Sequence, residues 1–358
     1  MSSASRKART LRVAELRAAY RKELADGTEV FFEPRAHRCP WCGSARLGGH
    51  LRTTDLFQHK PGDFALDRCH DCGHLFQNPR LNERGLAFYY RDFYDGLGEE
   101  RLGGVFGGRT GSYRSRALSV RPHLAGAAEW LDVGTGHGHF CESARAVLPA
   151  VTFDGLDRSD GAELAERAGR VRLGRRGSFP ELADRLPGSY DVVSMFHYLE
   201  HCDAPQRELT AARAVLRPGG LLVIDVPDPE SRFARLLGRW WLPWLQPQHL
   251  HLVPVANLRL RLVESGFTVL AEEHTQAHDP VDLVAAAWVA LDAVAPREDL
   301  PWLSPPPGAW RRALRTAVLL AGVPLLLAAT ALDRLVAGPL AGRLRLTNAY
   351  RLIARREE

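Results

Sequence analysis

The sequence predicts an α/β protein built on a parallel sheet flanked by helices, and three observations carry that reading. From Glu129 onward, short apolar runs of buried-strand type ("EWLDV", "VTFDGLD", "YDVVSMF", "GLLVIDVP") alternate with helical runs such as "QRELTAARAVLRPGG". Such alternation builds strand–helix–strand units, whose strands pair in parallel. The first strand runs into a glycine turn, "GTGHGHF", that opens a helix. Finally, 358 residues with 45% hydrophobic and 25% charged side chains suffice to bury such a sheet and a smaller unit beside it.

Taken in order, residues 1–36 read as a basic N-terminal helix. The stretch "MSSASRKARTLRVAELRAAYRKELADG" has basic residues but no apolar core of signal-peptide length, so a cytoplasmic protein is expected. The net charge of +5 is nearly all arginine, since Lys7, Lys22 and Lys60 are the only lysines, and the arginines are dispersed rather than clustered among aromatics. Nucleic acid is therefore not the expected partner. An RNA-binding or RNA-modifying protein that docks through its arginines and cysteine knuckles is the rival of a different class.

Residues 37–80 hold two C-x-x-C-G knuckles, "CPWCG" (Cys39, Cys42) and "CHDCG" (Cys69, Cys72). Four thiolates match the tetrahedral preference of zinc and close its coordination shell, so a structural zinc ribbon is expected rather than a catalytic metal. Disulfides are the weaker reading in a reducing cytosol. Cys141 is expected to pack at a helix start, and Cys202, beside His201, is the candidate for a reactive thiol. Residues 81–127 form a connector with an aromatic run, "LAFYYRDFYDGL", and a glycine-rich stretch near Gly103 to Gly111.

The glycine turn sets the ligand class. Gly134, Gly136 and Gly138 are spaced G-x-G-x-G, and His139 stands where a dinucleotide fingerprint wants glycine. Pyrophosphate binding loses ground. Glycines that admit a ligand to the backbone, a helix start that offers N–H groups to a carboxylate, and Asp157 at the end of the next strand, able to accept from ribose hydroxyls, describe a nucleoside site without a phosphate requirement.

At these residues the chain resembles the class I S-adenosylmethionine-dependent methyltransferases. The matching pieces are "LDVGTGHGHF", "GLDRSD", "YDVVSMFHYLEHCDAP", "VLRPGGLLVIDVPDP" and "HLHLVPVANLRLRLVESGFTVLAEE", in family order over most of residues 129–273. The resemblance implies S-adenosylmethionine as co-substrate, with Asp132, Gly134, Thr135, Gly136 and Gly138 at its methionine end, Asp157 on the ribose and Phe196 near the nucleoside. After the third strand the run "LGRRGSF" departs from the family, which often places an acid near the adenine there. The resemblance further implies a seven-stranded Rossmann-like sheet whose last strand, "NAYRLIARR", is antiparallel. Residues 128–273 and 345–358 then form the methyltransferase domain, and residues 274–344 a helical insertion or lid. The ribbon followed by "HLFQNPRL" and a tyrosine-rich connector is similar to a bacterial subgroup of these enzymes, and the layout is similar to sugar C-methyltransferases.

Methyl transfer to an alcohol or phenol needs alignment, exclusion of water and removal of a proton. "FHYLEHCDAP" supplies the candidates: His201 as general base, with His197 and Glu200 on the same face if the segment makes a helical turn, and His249, or else His251, from "QPQHLHLV". Ubiquinone-pathway O-methyltransferases and small-RNA 2′-O-methyltransferases carry a similar E-x-x-E-H with a later histidine, which holds a divalent cation. Here His197 replaces the first acid, and nitrogen ligands shift the preference toward zinc-like metals. The bland reading, in which these residues only shape the cofactor pocket, stays open. The expected acceptor is an oxygen of a small molecule, sugar or lipid-linked intermediate, with sugar C-methylation as the nearest rival.

The insertion carries an uncharged run, Thr316 to Leu332, with Pro324 inside it and Arg311, Arg312 and Arg315 before it. A single membrane span is excluded if the following strand returns to the sheet, which leaves a lid, an oligomer contact or a dip into a membrane. "RWWLPWL", with Trp240, Trp241 and Trp244, reads as an amphipathic aromatic element that adds to peripheral membrane contact.

Overall fold

A computed structural model of the chain describes residues 3–92, 110–124, 126–303 and 307–358. Most of the glycine-rich stretch of the connector lies outside the described residues. Among the described residues, eleven strands form two sheets. The ribbon contributes β1 (Leu47–Thr54), β2 (Asp63–Cys69) and β3 (Leu75–Gln77). The larger unit contributes β4 (Ala128–Val133), β5 (Val151–Asp157), β6 (Gly174–Arg176), β7 (Tyr190–Phe196), β8 (Leu216–Pro227), β9 (His251–Leu252), β10 (Phe267–Glu273) and β11 (Ala349–Arg356).

The seven-stranded sheet has the order β10-β11-β8-β7-β4-β5-β6, with β4 to β8 paired in parallel and β11 antiparallel to both neighbours. This is the α/β sheet with an antiparallel last strand that the sequence led us to expect. Strand order reverses between β4 and β7, so the chain leaving β4 at Gly134 and the chain leaving β7 at His197 diverge around one crevice at the strands' carboxyl ends.

The ribbon sheet is a β1-β2-β3 meander that takes β9 as its fourth strand, with Leu75 opposite Leu252 and Phe76 opposite His251. Two residues from the middle of the larger unit thus bind the ribbon by backbone pairing. One continuous core follows: Cys39, Trp41 and Phe76 of the ribbon cluster with Met195, Leu199 and Leu258.

The helix Ser3–Glu23 seats Tyr20 among Phe31, Phe88 and Trp302. Between residues 274 and 344 the described helices are Asp282–Val294, Ala309–Leu332, a π-turn at Asp333–Ala337, and Gly338–Leu344. The aromatic element is corrected by the structure. Trp241 and Trp244 are 1% and 4% exposed, and their indole N–H groups donate to Asp282 Oδ1 (2.8 Å) and the Gly238 carbonyl (2.9 Å). With acceptors available inside, both rings sit in the core instead of at a lipid face.

Candidate functional site

At the carboxyl end of β4 the three glycines of the turn all have left-handed backbones, with φ of 79°, 50° and 74° at Gly134, Gly136 and Gly138. They serve different ends. A Cβ on Gly136 would meet nothing within 4 Å, so this residue opens toward free space. On Gly134 it would strike the Tyr198 ring at 2.7 Å, and on Gly138 the Ala165 methyl at 2.8 Å, so these two permit close packing. Gly138 also stands at the N-terminus of the helix His139–Arg145. The open cradle at Gly136 fits a ligand that approaches the backbone there, as S-adenosylmethionine would.

Asp157 accepts from Gly136 N (2.9 Å) with one oxygen and from Ser159 N and Oγ (2.8 and 2.7 Å) with the other. It therefore fixes the turn. Asp132 is buried, and its Oδ1 accepts from Ser194 Oγ (2.6 Å), which in turn accepts from Trp130 Nε1 (2.8 Å). Burial pushes its carboxyl up to about 6, with the Ser194 bond opposing. Thr135 is buried with its methyl against Gly155. Phe196 lies edge-on to Phe140, ring centroids 4.7 Å apart, with the Arg116 guanidinium 4.8 Å from its ring centroid.

On the facing side the segment after β7 is not the helical turn the sequence suggested. His197 has φ of 51°, and Leu199–His201 is a single 3-10 turn. The backbone bends this way because His197 N donates to the Asp225 carbonyl, extending the pairing of β7 with β8 before the chain turns. His197 still reaches Glu200, Nδ1 to Oε1 3.1 Å, but the cluster that forms is Glu200, His201 and His249, whose ligand-capable atoms all lie within 4.8 Å of one another. His251 goes elsewhere, its Nδ1 3.2 Å from His74 Nε2 in the ribbon.

The tautomers follow from the partners. His201 Nδ1 lies 3.1 Å from the Gln248 carbonyl and 2.7 Å from the Tyr90 hydroxyl, and His249 Nδ1 lies 2.7 Å from the Pro243 carbonyl. A carbonyl only accepts, so both Nδ1 atoms carry protons and both Nε2 atoms keep a free lone pair. Burial pushes both imidazoles below their usual range, His249 to about 3. Glu200 is 2% exposed; burial would raise it, yet the His197 hydrogen bond and the neighbouring imidazoles hold it below the ordinary value. Its Oε2 has no hydrogen-bond partner among the described residues. Cys202 is buried and pushed up by burial, so it lacks the thiolate character of a nucleophile.

The knuckles bring Cys39, Cys42, Cys69 and Cys72 together, with Cys39–Cys72 and Cys42–Cys69 sulfurs 3.8 and 3.6 Å apart. A tetrahedron with Zn–S bonds of about 2.3 Å has edges of roughly 3.8 Å, and a disulfide would need about 2.05 Å. The sulfurs fit a tetrahedral ion. The ribbon is locked to the larger unit by Asn257 Nδ2 donating to the Cys72 carbonyl (2.8 Å) and Gln206 Nε2 donating to the Pro40 and Trp41 carbonyls (3.2 Å each).

Sequence reasoning missed Tyr90, Gln248, Arg116 and Asp225. Tyr90 ends the helix Glu83–Tyr90 in the connector, and only the fold brings it to His201. The aromatic richness of "LAFYYRDF" was the one available signal.

Residues 108–272 match the family model described as a methyltransferase domain. Over 129 residues the chain is 30% identical to a ubiquinone biosynthesis O-methyltransferase of Dechloromonas aromatica, covering 34% of this chain and 54% of that protein. It is 27% identical over 141 residues to the protein of the same description from Pseudomonas paraeruginosa, covering 37% and 60%. The chain thus spans little more than half the length of these curated relatives. A solved S-adenosylmethionine-dependent methyltransferase from Archaeoglobus fulgidus is 18% identical, covers 71% of this chain and 97% of that one, and superposes with a TM-score of 0.46.

Proposed function

We propose that this chain, a class I S-adenosylmethionine-dependent methyltransferase by its domain, methylates a hydroxyl oxygen of a small-molecule, sugar or lipid-linked acceptor, with His201 as general base. The observation that carries the choice of oxygen is His201 itself: a neutral imidazole whose Nδ1–H is tied to the Gln248 carbonyl and Tyr90 Oη, which leaves the Nε2 lone pair to take a proton, in a ring clustered with Glu200 and His249. An alcohol needs such a base. The relatives' description as O-methyltransferases points the same way.

When bound, S-adenosylmethionine supplies an electrophilic methyl group. Gly136 leaves room for it, Asp157 would accept from its ribose hydroxyls, and Asp132 with Ser194 stiffens the end of β4. His201 Nε2 would take the acceptor's proton as the acceptor's oxygen bonds to the methyl carbon and the sulfur–methyl bond breaks, the electron pair leaving with sulfur as a neutral thioether. The Gln248 carbonyl and Tyr90 Oη then hold the charged ring through its Nδ1–H, and Glu200 stabilises that charge from below. Incubating the protein with labelled S-adenosylmethionine and candidate acceptors, and locating the new methyl by mass and NMR, tests the reading; a methyl on carbon would overturn it.

One observation favours a second reading. Glu200 Oε2 is buried with no hydrogen-bond partner among the described residues, and a carboxylate oxygen of Glu200 and one ring nitrogen each of His201 and His249 lie within 4.8 Å of one another, which is the donor set of a transition-metal or zinc-like cation. Glu200, His201 and His249 would hold it, and it would polarise the acceptor oxygen. Loss of activity to a chelator and recovery with Mn²⁺ or Zn²⁺ separate this reading from the metal-free base.

For the cofactor side, Asp157→Ala should weaken S-adenosylmethionine binding about 10- to 100-fold by calorimetry, the loss expected for hydrogen bonds to a charged group. Unchanged affinity would remove Asp157 from the site. We further infer one structural zinc on the four cysteines. Elemental analysis should find one zinc per chain, and Cys39→Ser should lower both zinc content and solubility while folded material keeps its cofactor affinity.

A further inference from the structure

We infer that the helix Ala309–Leu332 is a docking element that lies in the headgroup layer of an anionic lipid surface. The helix and its continuation are apolar and long enough to cross a membrane, yet only 17% of the most apolar window is buried. Gly322, Ala329, Asp333, Ala337 and Ala341 face inward at helical spacing, with Gly322 pressed on Leu291. The opposite side exposes Leu320, Val323, Leu325, Leu327 and Leu332, between 42% and 67% open. A helix facing water would carry polar residues there.

Crossing a bilayer is ruled out by anchors at both ends. Near the start, Arg315 binds Asp292 and Glu298 (2.9 Å to the latter). At the far end, the Asp333 carboxylate accepts from Leu283 N and Val284 N (3.1 and 2.8 Å), and the chain then enters β11 within the sheet. The helix therefore lies along the body, in the orientation of an in-plane membrane element.

Charge selects the partner. Between residues 307 and 345 the only acid is Asp333, which is buried, while Arg311 and Arg312 stand exposed at one end and Arg334 and Arg343 at the other. Trp310, 66% exposed, lies against Arg311 at 5.3 Å, the pairing of an interfacial aromatic with a headgroup-binding cation. Because both ends are positive, a twofold contact with a second copy would set arginine against arginine whether the helices ran parallel or antiparallel. Anionic headgroups meet both ends favourably. A lipid-linked acceptor would be met on this surface. Only that consequence rests on the methylation reading; the docking itself does not.

Flotation of the full chain with phosphatidylcholine vesicles, with and without phosphatidylglycerol, tests the inference at low salt. The protein should float with phosphatidylglycerol vesicles only. Leu320→Glu/Leu327→Glu should abolish flotation, and Arg311→Ala/Arg312→Ala should lower partitioning about tenfold or more, both with S-adenosylmethionine affinity unchanged. Failure to float with either vesicle overturns the proposal, as does equal flotation on both. A dimer, seen by light scattering, that dissociates in Leu320→Glu/Leu327→Glu would give the face to a second copy and overturn it too.

Discussion

His201→Ala should cut turnover on the true acceptor by about two to four orders of magnitude, with S-adenosylmethionine affinity nearly unchanged. The separation is expected because His201 clusters with Glu200 and His249 on the segment after β7, whereas Gly136 and Asp157 belong to the turn after β4 and the end of β5. Tyr90→Phe should cost less, since the Gln248 carbonyl still orients Nδ1. The pH profile carries the sign. Burial pushes His201 below its ordinary value near 6.5, with Glu200 opposing, so the ring is neutral and competent at and above neutrality. Activity should rise with pH, reach half-maximum below about 6.5 and stay level to pH 8. A midpoint well above 7, or full turnover in His201→Ala, would end the general-base reading. Preserved turnover in the variant, together with insensitivity to chelators, would leave "FHYLEH" as pocket architecture.

The parallel core of the sheet was legible because β4, β5, β7 and β8 are apolar runs bounded by turn residues, whereas β6, Gly174–Arg176, carries no such signal; the knuckles were legible because four cysteines fall at C-x-x-C spacing. What escaped was long-range or local in a way that periodicity does not record. Tyr90 and His201 are separated by more than a hundred positions, and β9 joins the ribbon through a two-residue pairing too short for any pattern to mark. His197 was placed on a helical turn because i, i+3 and i+4 spacing suggests one; the left-handed residue that starts the turn breaks that geometry while keeping the His197–Glu200 contact. The tryptophans of "RWWLPWL" misled because amphipathic composition does not reveal whether an indole N–H finds an acceptor inside. The apolar run from Thr316 to Leu332 misled less, since its lack of charge is a property of composition, and the exposed face follows directly from it.

Asp225→Ala should be the most damaging substitution outside the chemistry, destabilising the fold by about 3–5 kcal/mol in denaturant titrations. Asp225 sits on β8 at 1% exposure and accepts from Arg351 Nε (2.6 Å), Arg351 Nη2 (2.9 Å) and Arg116 Nε (3.0 Å); Arg351 also reaches Glu273 (3.0 Å). Burial would raise its carboxyl, but Arg351 and then Arg116 hold it below the usual range, so the ion is charged and paired. Removing it leaves two buried guanidinium groups without their shared carboxylate, with Glu273 serving only Arg351. The network also joins the antiparallel strand β11 to β8, the helix Thr110–Val120 and, through the Arg116 guanidinium, the ring of Phe196, so the loss should reach the crevice. Cofactor affinity should therefore fall alongside stability, unlike in His201→Ala. Asp225→Leu combined with Arg351→Met should recover part of the stability lost by Asp225→Leu alone, because an apolar pair of similar volume removes one stranded charge. If the double variant is no more stable than Asp225→Leu, the two residues are not energetically coupled, and the buried pair is not what joins β11 to the sheet.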